Sequence, residues 1–177
     1  NGNDTTGDGS AANPYQTITK ALAVRATLPT GIEHAINLAS GVYTESFTMA
    51  TVNTYLAGSV ASGEVRHPVN ITGDITVSAG GTIGISNMDI TGSISTTSSS
   101  SLLALTGVNI TSTTAQALLI ASGTAFVAES RFNNGASAAT NLVQINSTGS
   151  ITMRDCVLNQ TLAQACIAGA GTINVRQ

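Results

Sequence analysis

The sequence predicts an all-β fold, a parallel β-helix with a short N-terminal capping α-helix, and three observations carry that prediction. The first is an internal repeat. Residues 81–90, 101–110, 123–132, 149–158 and 171–177 align in one register, with steps of 20, 22, 26 and 22 residues between their starts. Repeats of this length are the signature of solenoids and arrays. The second is the chemistry of the columns. The third position reads Ile83, Leu103, Ala125, Ile151, Ile173 and the fifth reads Ile85, Leu105, Val127, Met153, Val175. Apolar residues two apart point to the same side of a strand. The third is composition: 8% of residues are charged and 3% aromatic, against 26 Thr, 19 Ser and 14 Asn. An ordinary soluble domain carries roughly 25% charged residues. Stacked parallel strands place each surface side chain beside its equivalents about 4.8 Å away. Like charges in such a column repel, whereas hydroxyls and amides pair.

Taken in order, the elements follow from local chemistry. Asn13-Pro14 offers an N-cap and a proline for a first turn, and Tyr15, Ile18, Ala21, Leu22 and Ala26 recur at helical spacing, predicting a helix to about Leu28, before Pro29. A helix over the end of a β-helix covers exposed strand edges and core. The first coil reads as 36–43 and 47–49, and the second begins at 54–58. Within each later repeat, two polar or small residues in succession interrupt the alternation: Ser86-Asn87, Thr106-Gly107, Ala128-Glu129 and Arg154-Asp155. These are corners between two strands that share a core. A further strand per coil fits Ile75/Val77, Ile94, Leu118/Ile120, Val143/Ile145 and Ile167. The organisation is one domain, with residues 1–30 as turn segment and capping helix and 31–177 as a β-helix of about six coils. Asn133 over Asn159 is placed to form a hydrogen-bonded side-chain ladder. The chain opens without methionine or leader and stops in mid-strand at Val175, as an excised or processed segment would.

Segment 2–22 (GNDTTGDGSAANPYQTITKAL) resembles the opening of pectate-lyase-like right-handed β-helix proteins. The stretch Ile36 to Glu45, with its Gly41-Val42-Tyr43-Thr44-Glu45, is similar to that superfamily's first coil. The resemblance covers residues 2–60 by motif and the remainder by coil period. It implies a right-handed single-stranded parallel β-helix. In its hydroxyl-rich, charge-poor style the chain looks like spike or fibre proteins of virions. Enzymes of the superfamily are polysaccharide lyases and glycoside hydrolases, which use calcium-binding acidic clusters with a basic residue, or paired carboxylates.

Several function classes are excluded. A net charge of −3 with six Lys+Arg leaves no footprint for nucleic acid. No apolar run approaches the ~18 residues of a membrane span, so no membrane insertion is expected. A chain that is 42% hydrophobic with mean hydropathy +0.24 is not disordered by self-repulsion. The candidate catalytic pair is Glu129 and Asp155, in the corner column with Asn87, Gly107 and Gln177. Carboxylates about 5 Å apart suit a retaining hydrolase or a cation site, while Arg131 and Arg154 stand by to neutralise them. None of the superfamily's catalytic motifs is matched, so no catalytic residue is carried over. Asp4 and Asp8 lack the closing Glu of an EF-hand and read as turn residues. His34 and His67 read as loop histidines without a nucleophile, and Cys156 and Cys166 as small, partly buried side chains. No cofactor and no metal is expected. Asn-x-Ser/Thr sequons occur at Asn3, Asn70, Asn109, Asn146 and Asn159.

The expected function is a structural, receptor-binding domain of a virion spike or fibre that presents a surface to host-cell glycans, at a virion surface or otherwise outside the cell. The alternatives are a lyase or hydrolase acting on host polysaccharide, and a microbial surface adhesin. A homotrimer is expected, with outward Phe126 and Val157 as interface material.

Overall fold

The computed structural model describes residues 2–59, 68–112, 116–134, 141–160 and 165–176. A loop leads into helix α1 (Ile18–Arg25), and the chain then winds through about six turns of parallel β-solenoid. The first turn holds β1 (His34–Leu38), β2 (Gly41–Thr44) and β3 (Phe47–Met49); the second, β4 (Thr54–Gly58), β5 (Val69–Thr72) and β6 (Ile75–Val77). The third holds β7 (Thr82–Thr91) and β8 (Ile94–Thr96), and the fourth β9 (Leu102–Ser112) and β10 (Leu118–Ile120). In both, the first strand runs through the corner without a break. The fifth holds β11 (Gly123–Ala128), β12 (Arg131–Asn134) and β13 (Val143–Ile145), and the sixth β14 (Gly149–Arg154), β15 (Val157–Asn159) and β16 (Ile167–Gly169). Strand β17 (Thr172–Arg176) starts another turn.

Every strand pair is parallel, and the register matches the repeat read from the sequence. Ile83 lies beside Leu103, Leu103 beside Ala125, Ala125 beside Ile151 and Ile151 beside Ile173. Three faces result. The first stacks β1, β4, the opening half of β7 and of β9, β11, β14 and β17; the second stacks β2, β5, the closing halves of β7 and β9, β12 and β15. The third is a separate sheet of β3, β6, β8, β10, β13 and β16. Inward columns such as Leu56, Ile85, Leu105, Val127 and Met153 form the core, each almost wholly removed from solvent. Burying one such side chain contributes roughly 1.5–3 kcal/mol. Buried Thr54 is satisfied locally, donating through Oγ1 to the Thr51 carbonyl at 2.8 Å. The amide ladder on the second face is formed. Asn159 Nδ2 donates to Asn133 Oδ1 at 2.8 Å, and Asn133 Nδ2 donates to Asn109 Oδ1 at 2.7 Å.

The helix is shorter than its periodicity predicts. It starts at Ile18, with Thr17 as N-cap accepting from the Lys20 amide, and ends at Arg25. Asn13 and Pro14 belong to the preceding loop, where their carbonyls accept from Asp8, Gly9 and Asn3 amides at 2.9–3.1 Å. Those backbone bonds hold the chain out of helical geometry at the site where a proline first turn was expected. The helix packs on β3 and sends Ile18, 1% exposed, into the core.

Candidate functional site

Glu129 and Asp155 occupy equivalent corner positions on successive turns, as their column predicts. The corner has a definite backbone shape: Asn87, Gly107, Glu129 and Asp155 have φ of 57, 61, 51 and 53°. This is the left-handed region, which Gly, Asn and Asp enter most readily. The Glu129 amide donates to the Arg154 carbonyl at 3.1 Å, tying the two turns together. Asp155 is in an ion pair with its neighbour, Oδ2 lying 3.3 Å from Arg154 Nε, and both side chains are more than half exposed at 54% and 61%. Glu129 is exposed as well. Arg131 projects from β12 in the column of Asn109 and Val157. The pair therefore sits on an open corner, in bulk solvent, with one carboxylate already neutralised. Such a setting lacks the walls that would exclude water from a bound substrate.

Asp4 and Asp8 are engaged in holding the fold. Asp4 binds the approach to α1: Oδ1 accepts from the Gln16 and Thr17 amides at 2.7 and 3.0 Å, and Oδ2 from the Thr17 hydroxyl at 2.8 Å. Partial burial pushes the Asp4 carboxyl up, but these hydrogen bonds and nearby Lys20 outweigh it and hold its pKa below the usual value. Asp8 is also held low, by hydrogen bonding with Ser10. His34 lies on β1 with Nε2 at 3.2 Å from the Pro29 carbonyl. His67 lies outside the described residues. Cys156 and Cys166 are free thiols, half-buried. Among the described residues no group of three His, Cys, Asp or Glu side chains could hold a metal ion.

A different site emerges on the first face. Its central outward column runs Tyr55, Gly84, Ala104, Phe126, Thr152, Asn174. Tyr55 lies down against the sheet, so that a Cβ at Gly84 would run into its ring. Its hydroxyl donates to Glu33 Oε1 at 3.0 Å, and burial together with the Glu33 charge raises its pKa. Phe126 stands three turns further on, roughly 14 Å away at about 4.8 Å per turn, and is 49% exposed. The Tyr55 ring covers buried Gly84, so the open floor before Phe126 is Ala104, and the rims carry Thr82, Leu102 and Thr124 on one side, Ser86 and Thr106 on the other. Beside Phe126 is a shallow depression of about 250 Å³ lined by Phe126 itself and by Ala104, Thr106, Thr152, Arg154 and Arg176, among others. From the sequence, Phe126 is expected only as outward interface material. The signal was available in the fourth column of the repeat, where Gly84 and Ala104 are followed by Phe126; only the pairing of β4 with β7 adds Tyr55 to it.

Comparison with known proteins finds no family model, no curated protein and no solved structure that matches the chain.

Proposed function

We propose that the chain is a structural, glycan-binding β-helix segment of a surface spike or fibre, of the type virions carry, and that its first face takes a linear host-cell polysaccharide along the solenoid axis. The observation that carries this reading is the trough from Tyr55 to Phe126. Aromatic rings offer flat apolar surface to the C–H faces of sugars, and rims of Ser and Thr supply donors and acceptors for sugar hydroxyls. With Tyr55 laid over Gly84, the small Ala104 leaves a flat ligand room against the sheet between the two rings. Sites of this shallow type bind weakly, and repetition of the chain in an assembly strengthens attachment through multivalency. The assembly is a homotrimer, with exposed Val42 and Val157 on the second face as apolar contact material. A stable monomer by light scattering at micromolar concentration overturns that assembly.

Binding is tested with a panel of neutral and uronate oligosaccharides by calorimetry or saturation-transfer NMR. At least one linear glycan is expected to bind, and Phe126→Ala and Tyr55→Ala are each expected to weaken it about tenfold, near the 1.4 kcal/mol that a lost aromatic contact is worth. Wild-type affinity in both variants removes the trough from consideration. Appearance of unsaturated products or new reducing ends would instead favour an enzyme, and would be traced with Glu129→Gln and Asp155→Asn.

A further inference from the structure

The sequons are unequal in the folded chain. Asn3 Oδ1 accepts from the Thr5 and Thr6 amides at 2.8 and 3.0 Å. Asn70 is half-buried with its Oδ1 shut away from solvent. Asn109 and Asn159 belong to the amide ladder, and the Asn159 nitrogen that would receive a sugar is the one that donates to Asn133. Asn146 differs on each count. It is exposed, follows β13 directly, and its side chain makes no hydrogen bond among the described residues. The turn that carries it is fixed by its backbone, with the Asn146 amide donating to Ile120 O at 2.9 Å and its carbonyl accepting from Gly149 at 2.9 Å. Ser147 and Thr148 are exposed too. Continuing the register one residue past Ile145 places Ala121 on one side of Asn146 and Ala170 on the other, so small side chains flank it, while the Thr148 hydroxyl makes long contacts of 3.4 Å to the Ala121 carbonyl and the Ser122 hydroxyl.

We propose that Asn146 is an acceptor site for an N-linked glycan. In the transfer, the Asn146 amide nitrogen bonds to C1 of a diphosphate-activated sugar. The C1–O bond breaks, the diphosphate leaves with the electron pair, and the amide loses one proton. The free amide supplies the nitrogen, the exposed Thr148 completes the recognition motif, and the flanking alanines leave room for the first sugar to lie on the surface. A glycan here stands at the end of the third face. Its bulk keeps a neighbouring chain off that part of the third face.

The test uses the folded full chain, a soluble asparagine glycosyltransferase of Asn-x-Ser/Thr specificity, and UDP-glucose, followed by peptide mass mapping. A urea-unfolded sample serves as the control for intrinsic sequon reactivity. One added hexose is expected on the peptide holding Asn146, lost in Asn146→Gln and in Thr148→Ala, and retained in Asn159→Gln. An unmodified folded chain, with the unfolded control modified, overturns the proposal. So does modification of the folded chain at another sequon while Asn146 stays bare.

Discussion

At the corner shared by Asn87, Gly107, Glu129 and Asp155, backbone geometry constrains the side chain before any chemistry does. A left-handed residue without glycine's freedom costs of order 1–2 kcal/mol, less for Asn and Asp, whose short polar side chains tolerate it. Glu129 is the member least suited to its backbone. Glu129→Asn is therefore expected to raise stability by several tenths of a kcal/mol, and Glu129→Val to lower it by about 1–2 kcal/mol, as a β-branched residue is the poorest fit. Urea denaturation midpoints at constant slope check both. The opposite order would mean that the Glu129 carboxylate makes a contact worth more than the strain. The corner itself was legible as two successive polar or small residues that break the alternation. Its handedness was not, because Glu129 and Asp155 look the same in sequence whether they serve a turn or a reaction.

The helix shows the same division at the level of an element. Its apolar residues announced it, yet its start depended on partners distant in the chain. Glu45 reaches from the turn after β2 to the N-terminus of α1, its Oε1 accepting from the Ile18 amide at 2.8 Å and its Oε2 from the Thr19 amide and hydroxyl at 2.9 and 2.6 Å. A carboxylate at a helix N-terminus satisfies orphan donors and meets the positive end of the helix dipole. The Gly-x-Tyr-x-Glu stretch thus has a physical role in this chain, clamping the cap to the first coil, which its pattern alone did not disclose. Glu45→Ala is expected to cost about 1–3 kcal/mol and to speed amide exchange at Ile18 and Thr19. Asp4 adds a pH dependence. Its folded pKa lies below the ordinary 3.8, so its contribution is complete above that value and is lost as pH falls through the folded one. Protection of the Gln16 and Thr17 amides, taken relative to their intrinsic exchange rates, should fall on acidification through the folded pKa, and Asp4→Asn should remove that fall. Protection that stays pH-dependent to the same degree in the variant would assign the effect to another group.

Across the whole molecule, the scarcity of charge becomes a statement about stacked turns. One outward column of the second face reads Thr44, Thr72, Thr91, Thr111, Asn133, Asn159, and the other, Val42, Asn70, Asp89, Asn109, Arg131, Val157, carries two charges of opposite sign on turns that are not adjacent. Each residue sees its equivalents at about 4.8 Å above and below, a distance at which a repeated charge has two like neighbours instead of solvent. The columns were readable because the repeat fixes the register through the core, and a slip by one residue would turn every inward side chain outward. Which outward positions form a site was not readable, since that depends on how Tyr55 lies over Gly84 and how far Phe126 is uncovered. The column rule itself can be tested by charge placement. Thr91→Glu and Thr111→Glu should each cost no more than about 0.5 kcal/mol, as exposed substitutions do. Together they should cost roughly 0.5–1 kcal/mol beyond their sum, because two carboxylates then face each other across one turn. The excess should shrink in 1 M salt, where the Debye length is about 3 Å, and should vanish or reverse sign when Thr91→Glu is paired with Thr111→Lys. Additive losses in both pairs would mean that solvent screens the column fully, and that the low charge of this chain has a cause other than the stacking of its turns.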